Sequence, residues 1–230
     1  MNAELLPRTF VELTDALPGG VGLDRFTRLV VDKVIELVGA DSAVLLLAGR
    51  GATRPTLASG SSQRARELGQ LQLSLDEGPC LDAFRDGVAV RYPEDRQWPR
   101  FSHRVGSDQE FSLDAIPLRR EDISGALGII RVGSTGLDAT ALGAATAIAD
   151  LAAISIARHG RLRTRQRHAK RLRSTLDVLI TVEQAKGILA ERTGTDIETA
   201  HKLMQDYAHV QNESMSGIAR RVVAETGKPT

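Results

Sequence analysis

Between Arg158 and Arg173 the chain carries Arg158, Arg161, Arg163, Arg165, Arg167, Lys170, Arg171 and Arg173 without a single Asp or Glu. Cations at that density attract a polyanion strongly at low salt, because each neutralised phosphate releases condensed counterions. Phosphate contacts carry no base information, so such a run could raise affinity without choosing a sequence. A plainer reading, a solvated helix face, stands beside it. Other reactive groups are sparse. Cys80 is the single cysteine, which excludes an intramolecular disulfide framework and a cysteine-cluster metal site. Beside a helix start its thiol could be acidified and redox-sensitive, although a free cysteine is more often a small core filler. His103, His159, His168, His201 and His209 are scattered with no ligand spacing, so no metal is expected. Asp76, Glu77 and Asp82 are better explained as turn and first-turn residues than as an acid–base pair. No glycine-rich phosphate loop, nucleophile elbow or triad is visible, so no catalytic residue is assigned and no enzyme is expected.

The bulk properties narrow the partners. A length of 230 residues suits one large domain or two small ones. The formal net charge of +1 excludes a globally polyanion-seeking surface, so nucleic-acid binding must come from local charge. Aromatics make up 3% of the chain, which argues against a platform stacking several bases. No apolar run approaches membrane-spanning length and no basic-then-apolar signal pattern is seen, so a cytoplasmic protein without a membrane partner is expected.

These groups need elements to position them. Glu4 to Leu17 predicts a helix with Leu6, Phe10, Leu13 and Leu17 on one side, ended by Pro18-Gly19-Gly20. Asp24 is expected to cap a second helix with Phe26, Leu29, Val30, Val34, Leu37 and Val38 on its apolar face and Gly39 at its end. The apolar run Ala43 to Ala48 reads as a buried strand, paired across Gly49-Arg50-Gly51 with Thr56 to Ser59. Ser61 to Leu68 is helix-permissive, and Gln70 to Leu75 alternates as a strand does. Asp76 to Cys80 is a turn launching a helix through Phe84, which Gly87 stops before a strand at Val88-Ala89-Val90. Tyr92 to Ser112, with Trp98 and Phe101, reads as a long irregular loop. Two strands follow, Leu113 to Leu118 and Ala126 to Val132, joined by the charged turn from Arg119 to Asp122; an Ala-rich helix from Leu142 to Ile156 is entered after Asp138.

This order, with Leu75-Asp76-Glu77-Gly78-Pro79-Cys80-Leu81-Asp82-Ala83, Ala115-Ile116-Pro117-Leu118 and Gly125-Ala126-Leu127-Gly128-Ile129-Ile130, resembles the GAF domains that precede ANTAR domains in actinobacterial regulators. The resemblance spans residues 5–158. It implies an α+β fold, an antiparallel sheet with helices on one side and a pocket for an unidentified small molecule on the other; no cofactor is identified. Cys80, Trp98 and Phe101 are the candidate pocket residues.

At the other end, Val178, Val182, Ala185, Ile188 and Leu189 recur at helical spacing. Gly194 marks that helix's end and Asp196 the next N-cap. Ala200, Leu203, Met204, Tyr207 and Ala208 give a second stripe. Asn212 marks a break, and Met215, Ile218, Ala219, Val222 and Val223 a third stripe closed by Gly227 and Pro229. Three short helices follow. The run Val182-Glu183-Gln184-Ala185-Lys186-Gly187-Ile188-Leu189, with Glu191-Arg192, Gly194, Ala200, Leu203-Met204, Ala208, Asn212 and Ile218-Ala219, resembles the ANTAR domain of bacterial antitermination regulators. That family is an all-α three-helix module that binds RNA hairpins in leader transcripts and prevents a terminator from forming. The resemblance, assigned to residues 176–227, implies that Lys186 faces phosphate and that Gly187 allows close approach. Ala185, Gln184, Arg192, Arg220, Arg221 and Asn212 complete the candidate RNA-binding set. Leu179 or Ile180 stands where the family has an Arg, Gln205 replaces another, and His201 replaces an aromatic.

Between the modules, residues 159–175 form a basic helical linker whose candidate RNA-contacting cations are Arg163, Arg165, Arg167, Lys170, Arg171 and Arg173. Alternating steps of three and four from Ile148 pass through Leu151, Ser155, Arg158, Leu162, Arg165, Ala169, Leu172, Leu176 and Leu179. This mixed heptad seam supports a weak coiled coil and a homodimer. The expectation is an RNA-binding antitermination regulator under sensor control. The competing expectation is a sensor whose ANTAR module has turned to protein interaction or dimerisation.

Overall fold

The structure, a computed structural model, describes residues 5–17, 20–49, 51–94, 97–106, 110–120, 123–133 and 135–226. The features expected at Glu4, Pro18-Gly19, Arg50, Glu121-Asp122, Gly227 and Pro229 lie outside these residues. The chain divides into two compact units, Met1–Arg161 and Leu162–Thr230.

The first unit runs α1 (Leu5–Ala16), α2 (Leu23–Val38), β1 (Ser42–Ala48), β2 (Thr56–Gly60), α3 (Gln63–Leu75), α4 (Pro79–Asp86), β3 (Val90–Tyr92), α5 (Pro99–Val105), β4 (Phe111–Arg120) and β5 (Ile123–Val132), then enters α6 (Ala139–Thr193). The five strands form one antiparallel sheet in the order β2-β1-β5-β4-β3. β1 is apolar from Ala43 to Ala48 because both its faces are covered, and alternate residues divide between two cores. Ala43 and Leu45 join Ile116, Leu118, Leu127 and Ile129 beneath α1, α2 and the start of α6. Val44, Leu46 and Ala48 join Leu113, Ala115, Ala126 and Ile130 on the opposite face, beneath α3, α4 and α5. Helices therefore also cover the face where a pocket is expected.

Local differences from the sequence reading have physical causes. Asp24 lies inside the first turn of α2, where its charge meets the helix dipole, and extended Gly22 is the N-cap. The strand expected at Gln70–Leu75 is the second half of α3. The Ser62 hydroxyl accepts the Ala65 N–H at 3.1 Å, and Ala65, Leu68, Gly69 and Gln72 bury one helical face. Gln72 hides that face by being polar. β3 begins at Val90, not Val88, and Pro99 opens α5 inside the expected loop.

α6 is continuous for 55 residues and joins the expected Ala-rich helix, the basic helical linker and the first helix of the C-terminal module into one. Gly160 weakens a helix without breaking it, and no proline or cap follows it. The Asp138 side chain accepts the Ala141 N–H at 2.7 Å at its start. An 18-residue window of α6 reaches a mean hydropathy of 1.6, so one run does attain membrane-spanning length. Half of that window is buried. Ala145, Ile148, Ala149, Ala152 and Ala153 pack against the sheet, which accounts for the apolar character of this run.

In the second unit, α7 (Ile197–Gln211) and α8 (Met215–Thr226) pack with the last turns of α6 around Ala185, Met204, Ala208, Ile218 and Ala219. Gly194 at φ 64° and Asn212 at φ 52° supply the left-handed turns between helices. The Asp196 carboxylate caps α7 by accepting the Thr199 N–H at 2.8 Å, and this bond holds its pKa below the usual value.

Candidate nucleic-acid interface and sensor core

Each expected RNA-binding residue has a distinct setting. Ala185 is fully buried in the small core, so it packs α6 against α7 and α8 and cannot touch a ligand. This corrects its assignment to the contact set. Gln184 and Gly187 are exposed, and a side chain added at Gly187 would meet only open space. Lys186 is half-buried, and its Nζ donates to both carboxylate oxygens of Glu183 at 3.0 Å, one turn earlier. Arg192 Nη1 lies 3.8 Å from Glu225, and Arg221 Nη1 lies 3.1 Å from Glu213. Arg221 also lies over the Tyr207 ring, 5.6 Å from its centroid. Arg220 is exposed and forms no ion pair among the described residues. Asn212 is an exposed C-cap whose own N–H bonds Ala208 O, so its backbone role is explained without RNA.

Arg163, Arg165, Arg167, Lys170, Arg171 and Arg173 are all exposed on α6 and form no ion pair among the described residues. At roughly 100° per residue, Arg163, Arg167, Lys170, Arg171 and Arg173 share one broad face of about 160°, and Arg165 lies on the opposite side. Leu162, Leu172, Leu176 and Leu179 of the seam are exposed at 45%, 67%, 57% and 53%, so nothing in the described chain covers them.

Cys80, Trp98 and Phe101 come together, but as a packed core. Tyr92 holds the cluster, its ring centroid 6.0 Å from Trp98, 5.4 Å from Phe101 and 5.3 Å from Phe111. Trp98 Nε1 donates to Asp82 at 3.0 Å, and the Cys80 N–H donates to Gln72 Oε1 at 2.8 Å. Burial pushes the Cys80 thiol up to about 12, opposite to the acidification expected at a helix start. Desolvation outweighs the dipole here, and a redox-sensing thiolate is not available. A groove of about 640 Å3 touches the cluster through Phe111 and is lined also by Ser42, Ser62, Arg64, Ile130 and Val132.

The GAF domain family model matches residues 21–157, more than half the chain, and the ANTAR domain model matches residues 170–223. The chain belongs to the GAF family and carries an ANTAR domain. The GAF domain of a phosphoenolpyruvate-protein phosphotransferase from Coxiella burnetii is similar to it, with a TM-score of 0.52, 19% identity, and coverage of 71% of this chain and 99% of that one. The Acinetobacter counterpart gives a TM-score of 0.54 at 16% identity, over 70% and 96% of the two chains. A bacteriophytochrome from R. palustris gives 0.53 at 10% identity, over 77% of this chain and 41% of that one. At these identities the likeness is one of fold. No curated protein matches the chain.

GAF and ANTAR domains are regulatory and not catalytic. One GAF-domain network escapes sequence reasoning. Buried Asp114 on β4 accepts from Arg91 Nε at 2.7 Å and from the Leu137 N–H at 2.8 Å, and Arg91 also donates to Leu137 O. The carboxylate thus ties β3 and β4 to the segment that launches α6. Partners 23 residues apart in sequence leave no local signal.

Proposed function

We propose that the chain is an RNA-binding regulator of transcription antitermination. A GAF-like sensor at residues 5–158 controls an ANTAR module at residues 176–227 through a basic helical linker at residues 159–175. The observation that carries this reading is the ANTAR match over residues 170–223. That domain is known from regulators that hold hairpins in nascent leader transcripts. The exposed linker cations Arg163, Arg165, Arg167, Lys170, Arg171 and Arg173, which form no ion pair among the described residues, support it, since they supply the phosphate attraction that RNA binding needs. The protein acts in the cytoplasm as a homodimer, without a membrane partner. A small molecule bound to the sensor shifts how two α6 helices pair and so presents two modules to two hairpins. Lys186, Gly187, Gln184, Arg192, Arg220 and Arg221 carry the contact.

Salt-titrated binding of the full-length protein to a pool of structured RNAs tests this, with selection for retained sequences. Hairpins should be recovered with a steep salt slope. Lys186→Ala should weaken every selected hairpin and reduce that slope by about one. Glu183→Gln, which removes the carboxylate now engaging Lys186, should strengthen binding. Unchanged affinity of Lys186→Ala at moderate salt would remove Lys186 from the contact, and recovery of no hairpin would refute the RNA reading.

The second reading is a module that acts by protein interaction or dimerisation. Exposed Leu179 and Ile180, one or the other of which stands where the family carries an Arg, favour it. Weak, sequence-blind RNA binding that disappears with the linker would select this reading.

A further inference from the structure

Tyr207 is the only aromatic residue in the second unit, and it is not in the core. Its neighbours Met204 and Ala208 are buried while its own side chain is half-exposed. At 100° per residue, Leu203, Tyr207 and Val210 fall within about 60° of one another, beside the buried stripe of α7. Leu203 and Val210 are also exposed, so the ring lies in an apolar strip open to solvent. Arg221, reaching from α8, places its guanidinium over the ring and is held there by Glu213. The result is an aromatic ring with a cation fixed over one face, set in a strip of exposed apolar side chains.

We infer that Tyr207 is a stacking platform for one unpaired nucleobase of the bound RNA, with Arg221 taking the phosphate or base edge beside it. This inference rests on the RNA reading above. A base is a flat disc with a polar rim and an attached anion, and the two residues match those parts. Stacking tolerates any base but requires one to be unpaired, so the platform selects a single-stranded loop over a duplex. It differs in kind from Lys186, which meets only phosphate. An exposed Leu–Tyr–Val strip would also suit a protein surface; the Arg221 guanidinium over the ring favours RNA.

The test uses the full-length protein and a hairpin selected from an RNA pool with randomised loops. Tyr207→Leu should lose about tenfold or more in affinity, whereas Tyr207→Phe, which keeps the ring, should bind nearly as the wild type does. The salt slope should stay unchanged in both, because no phosphate contact is removed. Replacing loop nucleotides one at a time by abasic residues should reveal one position whose loss equals that of Tyr207→Leu and does not add to it. This arm uses the wild-type protein, so it stands even if the leucine variant folds poorly. Equal affinity of Tyr207→Leu and wild type, or the lack of any such abasic position, overturns the stacking role while leaving the RNA reading intact. A Tyr207→Leu change that alters sedimentation and not RNA affinity assigns the strip to protein contact instead. If the wild type binds no hairpin, the RNA reading fails first and the platform with it.

Discussion

Cys80 shows how burial decides the chemistry of a residue. Its Sγ lies where a side chain added at Gly128 would come within 2.6 Å, so α4 rests directly on β5 and water is excluded. Burial keeps the thiol protonated in the folded chain up to about pH 12, against a reference of 9.0. Two outcomes follow from the sign of that shift. Thiolate-selective reagents at pH 8 should leave the native protein unmodified and label it once urea unfolds it. Stability should be unaffected by this group below pH 9 and should fall as pH rises from 9 towards 12, where only the unfolded thiol ionises. A Cys80→Ala variant should lose that part of the alkaline dependence. Rapid labelling of the native protein would contradict the buried setting.

At the scale of elements, α3 and α4 depend on one polar side chain. Gln72 is wholly buried; its Oε1 accepts the Cys80 N–H at the start of α4, and its Nε2 donates to Leu68 O. Gln72→Met keeps the length of the side chain and removes the acceptor. Leaving a buried N–H unpaired should cost about 1–3 kcal/mol in urea unfolding followed by Trp98, the single tryptophan of the chain. A change near zero would mean that water reaches the Cys80 amide. The same residue explains where sequence reading stopped. Elements built from apolar periodicity or glycine stops were legible: α1, α2, β1, α4 and β5. α3 was misread because Leu71, Leu73 and Leu75 alternate while its buried face includes Gly69 and Gln72, whose types carry no apolar signal. In the candidate site, the Glu183-Gln184-Ala185-Lys186-Gly187 motif was visible, but not that Ala185 belongs wholly to the core. Motif positions mix packing with contact, and only burial separates them. The Asp114 network and the Tyr207–Arg221 pair were illegible because their partners meet through tertiary packing.

For the whole molecule, the question is what covers the exposed leucines of α6. Leu162, Leu172, Leu176 and Leu179 occupy seam positions, with Arg158 and Arg165 among them. Two such helices side by side would bury the leucines but bring like charges together, so pairing should be weak and strengthened by salt or by RNA phosphates between the cations. Weak pairing suits a switch, since a sensor ligand worth a few kcal/mol can then decide the population. Leu172→Asp combined with Leu176→Asp should give a monomer in sedimentation at micromolar concentration, where the wild type should be a dimer. It should leave the affinity for a single hairpin unchanged and lower that for two hairpins in one transcript by about a hundredfold, the loss of a second, linked contact. A wild type that is monomeric with and without RNA would remove the dimer and leave each ANTAR domain to act alone. An equal loss on single and paired hairpins would place the leucines in the RNA contact itself.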